Sequence, residues 1–208
     1  MSFAAICPTI HHLHPSYSFI NSMHPSPASS TPLPEKPIPE SYWVIPGRLL
    51  AGEYPGVSYA PEITRKRLEA FLMAGFNTVI DLTWEGETED YKPVLRDQAG
   101  NFGLNVECLQ FPIGDFGLPT PEAMTATLDA IDGALARGRK IYLHCFGGIG
   151  RTGTVVGCYL TRHGLTGVEA ILQLANWWQY VPKSARYPHS PETIQQEQFI
   201  RNWLEQKK

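Results

Sequence analysis

Residues 140 to 160 constrain this chain more than any other stretch. Lys140-Ile141-Tyr142-Leu143 has the apolar and aromatic character of a buried strand. Thr154-Val155-Val156-Gly157-Cys158-Tyr159-Leu160 is apolar and long enough for a buried helix. Between them runs His144-Cys145-Phe146-Gly147-Gly148-Ile149-Gly150-Arg151-Thr152-Gly153. A strand, a glycine-rich loop and a helix in that order aim backbone N–H groups and a helix N-terminus at a bound oxyanion. One cysteine opens the loop and one arginine closes it, with five residues between.

The rest of the chain reads as scaffold for that loop. Tyr42-Trp43-Val44-Ile45 and Arg48-Leu49-Leu50-Ala51-Gly52 are short strands about a Pro46-Gly47 turn. Pro61 opens a helix with Leu68, Phe71 and Leu72 on one side and Gly75 as its stop. Thr78 to Leu82 is a strand that runs into an acidic loop, Thr83-Trp84-Glu85-Gly86-Glu87, which either rims a site or is simply solvated. A helix over 90–102 and a strand over 105–111 follow. Next comes a proline- and glycine-framed loop, Pro112-Ile113-Gly114-Asp115-Phe116-Gly117-Leu118-Pro119. Thr120 and Pro121 start a helix with Met124, Leu128, Ile131 and Leu135 as its stripe, ended by Gly138. Beyond the central helix and its stop at Gly164, Thr166 and Glu169 make a capping box for a helix to near Trp178. Ser190 and Pro191 are expected to start the last helix, with Ile200, Trp203 and Leu204 facing inward.

Strands alternating with helices predict an α/β fold. The expectation is one domain with a central, largely parallel, twisted sheet of four to five strands flanked by helices, the phosphate loop lying between a strand and a helix. Ligands in such sheets sit beyond the C-terminal strand ends, and Cys145 and Asp115 both lie just past one.

Residues 1–40 are a different material. Prolines, hydroxyls and histidines dominate, so a disordered or extended arm is expected there, with the domain over 41–208. His11, His12 and His14 are read as part of a solvated tail, so no metal and no cofactor is expected. Met1 to Ile10 lack a basic segment (the first Lys or Arg is Lys36), and no apolar run is long enough for a membrane span. A net charge of −3 without a basic block gives no support to a nucleic-acid or anionic-membrane partner. The four cysteines, Cys7, Cys108, Cys145 and Cys158, show no paired spacing. A reduced, cytoplasmic, monomeric protein is expected.

The loop itself suggests chemistry. A cysteine attacks as its thiolate, and positive surroundings favour that form. An N–H nest, a helix dipole and Arg151 would favour both a thiolate at Cys145 and a tetrahedral oxyanion beside it. Phe146, Gly147, Gly148, Ile149 and Gly150 supply the nest, the glycines permitting its unusual φ values. Arg151 can grip two oxygens with its planar fork. Attack by Cys145 on phosphorus would give a cysteinyl phosphate for water to release. Asp115 is the candidate acid for the leaving group and could next act as base on the water. Thr152 could donate to the cysteine sulfur, and His144 is expected to orient the loop.

The string H-C-x-x-G-x-G-R-T-G resembles the signature of the cysteine-dependent protein tyrosine phosphatase superfamily, in its dual-specificity branch. Pro112-Ile113-Gly114-Asp115 with Pro119 is similar to the general-acid loop of kinase-associated and cell-division-cycle phosphatases. By element order the resemblance covers residues 42 to 205. It implies a phosphate-monoester hydrolase with Cys145 as nucleophile, Arg151 as phosphate clamp and Asp115 as general acid. The expected substrates are phosphotyrosine together with phosphoserine and phosphothreonine in proteins. It also leaves open a redox disulfide between Cys108 and Cys145, against plain core packing of Cys108.

Departures from the family sharpen this expectation. Lipid-directed members carry lysines in the phosphate loop, and here residues 146–150 are uncharged. Tyrosine-specific members place the hydrolytic water with Gln-Thr-x-x-Gln; here Glu192-Thr193-Ile194-Gln195-Gln196 leaves only Gln196 for that role. Alternatives are a soluble inositol-phosphate or RNA 5′-phosphatase, and a non-catalytic module that binds phosphorylated proteins.

Overall fold

The computed structural model describes residues 32–205. Five strands, β1 (Ser41–Ile45), β2 (Leu49–Gly52), β3 (Thr78–Asp81), β4 (Glu107–Gln110) and β5 (Ile141–His144), form one sheet in the order β1-β2-β5-β3-β4. Only the β1–β2 pair is antiparallel; β2–β5, β5–β3 and β3–β4 are parallel. The α/β architecture, mostly parallel and helix-flanked, is the one expected.

Alternation along each strand divides two cores, as a period of two residues requires. Tyr42, Val44, Leu49, Ala51, Ile141 and Leu143 face one side. There they meet α3 (Pro121–Ala136), α4 (Gly150–Arg162), α5 (Gly167–Trp178) and α6 (Ile194–Arg201). Trp43, Leu50, Val79 and Tyr142 face the other, under α1 (Pro61–Met73) and α2 (Lys92–Asn101). The middle of the sheet is thus apolar on both faces, and α4 is buried from Gly150 to Leu160. Truncating a core side chain such as Leu143 to alanine is expected to cost about 2–5 kcal/mol.

Several helix ends follow their local chemistry. Thr120 Oγ1 accepts from the Ala123 N–H, and Thr166 and Glu169 form a reciprocal capping box. Gly75, Gly138 and Gly164, the expected stops, all have positive φ. The last helix departs from expectation. Its cap is Thr193, whose hydroxyl accepts from the Gln196 N–H while the Gln196 side chain returns to the Thr193 N–H. The Ser190 hydroxyl donates to Ile149 O at 2.9 Å, and the cap stands three residues further along the chain. Ile200 is buried as expected, but Leu204 lies past the helix and is exposed.

The chain is already packed before β1. Ile38 is buried with Trp43, Phe71 and Phe76, and Trp43 Nε1 donates to Pro34 O at 2.9 Å. Residues 1–31 and the histidines at 11, 12 and 14 lie outside the described residues. No helix of the described residues is long and apolar enough to cross a membrane.

The register brings Gly52, Asp81 and Gln110 level with or next to His144 at one sheet edge. The loops after β2, β3, β4 and β5 therefore converge there.

Candidate active site

The loop after β5 curls because its carbonyls are claimed from outside. Cys145 O accepts from His144 Nδ1 at 3.0 Å, Phe146 O from the Tyr54 N–H at 3.0 Å, and Gly147 O from Lys183 Nζ at 3.1 Å. Ile149 O accepts from the Ser190 hydroxyl. In a trans peptide the C=O and the next N–H point in opposite directions. The N–H groups of Phe146, Gly147, Gly148 and Gly150 are thereby turned into the loop, and that of Gly148 meets Cys145 Sγ at 3.2 Å. Gly148 has φ +73°, and a methyl group there would stand 2.5 Å from the Gly52 carbonyl carbon. Only glycine suits that turn and that close approach.

Arg151, in the first turn of α4, is 2% exposed. Its Nη1 donates to Glu87 Oε2 at 2.7 Å and to Ile113 O at 3.2 Å. Its Nη2 meets Glu87 Oε1 at 2.6 Å and Asp115 Oδ1 at 3.1 Å. All four terminal N–H groups thus have partners. Burial opposes the charge, yet the Glu87 bonds and surrounding negative charge raise the guanidinium above its usual pKa. Bonding to Arg151 in turn lowers that of Glu87.

Asp115 stands on the loop between β4 and α3. The loop is anchored by the Ile113 N–H on Leu82 O at 3.0 Å and turned by the Gly117 N–H on Gly114 O at 2.8 Å. Phe116 takes a left-handed φ of 55° beside the acid. Asp115, Phe116, Cys145, Gly147, Ile149, Gly150, Arg151 and Glu192 enclose a cavity of about 20 Å³, room for roughly one water. Asp115 there occupies an Arg151 N–H group that a phosphoryl oxygen would use.

His144 is fully buried. Its Nδ1 faces Cys145 O, so the hydrogen-bond partners assign the proton there and leave Nε2 to accept from the Tyr91 hydroxyl at 2.6 Å. Burial lowers its pKa, against the pull of the Asp81 carboxylate 3.9 Å away. Asp81 is held by Lys92 Nζ at 2.7 Å and by the Thr83 N–H and hydroxyl. The imidazole is a neutral brace for the loop.

Cys145, Arg151, Asp115, His144 and the loop residues 146–150 therefore come together. Thr152 does not reach the sulfur: its hydroxyl is buried without a hydrogen-bond partner. Gln196 lies beside Gly150, but Oε1 already accepts from the Glu192 and Thr193 N–H groups and Nε2 donates to Gly117 O. Its amide clamps α6 to the acid loop. Cys108 pairs through Val79 with Tyr142, two strand spacings or about 10 Å across the sheet. It is level with a residue three before Cys145, whereas a disulfide needs Cα atoms within about 7 Å. Cys108 packs against the α1–α2 core instead. Among the described residues no group of three or more His, Cys, Asp or Glu is placed to hold a metal ion.

Glu192 is a site residue that the pattern of the chain had not singled out, and Glu87 one that it left between rimming a site and being solvated. A buried arginine demands a carboxylate, and the acidic loop past β3 was the available signal for Glu87. Trp84 of that loop remains exposed, near Gly114.

Comparison with known proteins places the chain in a family. The family model "PTP-SAK: Swiss Army Knife protein, DSP-PTPase phosphatase domain" matches residues 39–200. An uncharacterized protein of Methanocaldococcus jannaschii is 34% identical over 106 residues, which span 51% of this chain and 65% of that relative. A kinase associated phosphatase, solved with serine in place of its catalytic-site cysteine, superposes with a TM-score of 0.61 at 20% identity. The superposition covers 83% of this chain and 94% of that one, and at such identity it shows the fold alone. Tk-PTP in its active form gives a TM-score of 0.56 at 26% identity, covering 78% and 93% of the two chains.

Proposed function

The chain belongs to the family of DSP-PTPase phosphatase domains, and from that premise we propose that it hydrolyses phosphate monoesters on proteins, phosphotyrosine together with phosphoserine and phosphothreonine, through a phosphocysteine intermediate. Catalysis is assigned to residues 41–208, and no step to residues 1–40. Cys145 Sγ attacks phosphorus and the ester P–O bond breaks. Arg151 and the N–H groups of residues 146–148 and 150 hold the non-bridging oxygens. Asp115 supplies the leaving oxygen with a proton. His144 supports the loop through Cys145 O, and the Thr152 hydroxyl, without a partner in the resting site, is the donor that the sulfur meets as it departs. Water then releases inorganic phosphate.

The observation that carries this reading is the meeting of Cys145, Arg151 and Asp115 around one small cavity. The preference for phosphoproteins over inositol polyphosphates is supported by the uncharged loop, Phe146 to Gly150, and by three carboxylates at the site, Glu87, Asp115 and Glu192. They disfavour a second phosphate next to the reacting one.

The test compares wild type with Cys145→Ser in chelator-containing buffer, on phosphopeptides, inositol phosphates and triphosphorylated RNA. Wild type should turn over phosphopeptides fastest. The serine protein should bind them and lose turnover by at least about 10³-fold. Hydrolysis persisting in the serine protein would sink the nucleophile; a faster inositol phosphate or RNA would replace the substrate class; no turnover by wild type would favour a binding module.

A further inference from the structure

The N–H groups of Phe146, Gly147, Gly148 and Gly150 each belong to a peptide whose carbonyl is braced from outside, and the braces differ in charge. Cys145 O, Phe146 O and Ile149 O are met by neutral groups: the His144 imidazole, the Tyr54 N–H and the Ser190 hydroxyl. Of the four carbonyls only Gly147 O accepts from a cation, Lys183 Nζ at 3.1 Å. The Gly147 carbonyl and the Gly148 N–H are the two ends of one peptide unit, and that N–H donates to Cys145 Sγ at 3.2 Å. A charge-assisted bond is roughly twice as strong as a neutral one, and at the carbonyl it polarises the N–H at the far end of the same peptide.

The ammonium is itself held in place. Lys183 stands in a short 3-10 turn after α5, Pro182–Ala185. Its own N–H donates to Glu40 Oε2 at 3.0 Å, and Nζ pairs with Glu53 Oε2 at 2.6 Å. Glu53 Oε1 is held in turn by Arg67 Nη1 at 3.1 Å. The backbone of Glu53 is fixed too, with its N–H on Glu40 O and the next N–H, of Tyr54, on Phe146 O. The side chains of Lys183 and Glu53 are 21% and 16% exposed, so solvent screens them incompletely.

We propose that Lys183 is a positioning residue for the phosphate loop, its ammonium orienting and polarising the Gly147–Gly148 peptide so that the Gly148 N–H meets negative charge at Cys145 Sγ and on the phosphoryl oxygens. The chain of bonds runs from ammonium to carbonyl and from N–H to sulfur. Every charge that the reaction places in the loop is negative: the attacking thiolate, the phosphoryl group, and the thiolate formed again as the P–S bond breaks. A donor strengthened from behind and already aimed stabilises each of them without reorganising. The partners of Nζ are Glu53 and Gly147 O, so its influence on the sulfur passes through the peptide. Glu53 offsets the field of the ammonium at a distance, which confines the effect to the carbonyl it bonds. The inference rests on Cys145 as the nucleophile of the hydrolysis above.

The test uses the full chain as wild type, Lys183→Met, Lys183→Arg and, to control for net charge, Arg186→Met, which removes an exposed cation three residues further on. In isotope-labelled, phosphate-free protein the Gly148 amide proton of Lys183→Met should move upfield, and further than those of Phe146, Gly147 and Gly150. Affinity for inorganic phosphate and kcat/KM on p-nitrophenyl phosphate should each fall by about 10-fold in that variant. Arg186→Met should stay within about 2-fold of wild type. Lys183→Arg keeps a charged donor and should lie nearer wild type than Lys183→Met in every readout. Where methionine prevents folding, Lys183→Gln takes its place under the same expectations. An unmoved Gly148 proton in the folded neutral variant overturns the inference. An equal loss in Arg186→Met also overturns it, because the effect would then be one of net charge. Wild type without turnover would remove the hydrolase reading, and the Gly148 shift and phosphate affinity would still decide the role of Lys183.

Discussion

The Glu87 carboxylate grips the Arg151 guanidinium fork to fork, through bonds of 2.6 and 2.7 Å. Arg151 is 2% exposed and the Glu87 side chain 23%, so the pair is screened on one side only. Removing Glu87 leaves a buried cation leaning on Ile113 O and Asp115. For Glu87→Ala the expected loss is about 1–2 kcal/mol, below the range for fully buried pairs because of that partial exposure. Misplacing the fork should lower kcat/KM by about 10- to 100-fold. Urea unfolding and steady-state kinetics check both, and unchanged kcat/KM in a folded variant would show that Arg151 needs no such support.

Much of this was legible in the chain because it is local. The strand, loop and helix of residues 140–160, the Thr120 and Thr166 caps and the glycine stops each depend on residues within a turn of one another. What faces Arg151 is not local. Glu87 is 64 residues away in sequence, and its approach follows from the parallel pairing of β3 with β5 that sets Asp81 against His144. The start of α6 was read at Ser190 and Pro191, whereas the helix begins at Ile194 under a Thr193–Gln196 capping box and Ser190 binds Ile149 O, a contact 41 residues away. Glu192 was hidden for a related reason. It reads as a lost glutamine until the site shows the Gln196 amide already engaged.

Gly148 combines a positive φ with contact against the Gly52–Glu53 backbone, and its N–H is the donor to Cys145 Sγ. A side chain cannot be accommodated by rotating a neighbour away, because the neighbour is main chain. Gly148→Ala should destabilise the protein by at least about 2 kcal/mol and abolish phosphate binding. Thermal unfolding and binding of inorganic phosphate report the two effects. A stable variant that binds phosphate normally would mean that the turn accommodates a side chain.

His144 makes stability depend on pH. Burial holds its pKa below the usual imidazole value, so the unfolded chain takes up a proton near pH 6.5 that the folded chain refuses. The contribution of the neutral imidazole is complete above about pH 6.5 and is lost as pH falls below it. One such group gives a slope of at most about 1.4 kcal/mol per pH unit. The unfolding free energy of wild type should therefore fall faster than that of His144→Gln between pH 6.5 and 5. Parallel curves would exclude His144 as the source.

Asp115 and the substrate phosphate want the same N–H group. With Asp115 Oδ1 at 3.1 Å from Arg151 Nη2, a phosphoryl oxygen that bonds to that N–H group displaces the acid. Displacement from Arg151 is also what frees Asp115 to meet the leaving oxygen. Asp115→Ala removes both a competing acceptor and a negative charge from the mouth of the site. Inorganic phosphate should bind about 3- to 10-fold tighter to that variant, the worth of one partly exposed ion pair. Turnover should move the other way, falling about 100-fold for alkyl phosphates and far less for aryl phosphates whose leaving groups need no proton. Calorimetric titration and a leaving-group series measure the two. Weaker phosphate binding would show that Asp115 helps to build the anion site, and equal slowing of all esters would remove it from the acid role.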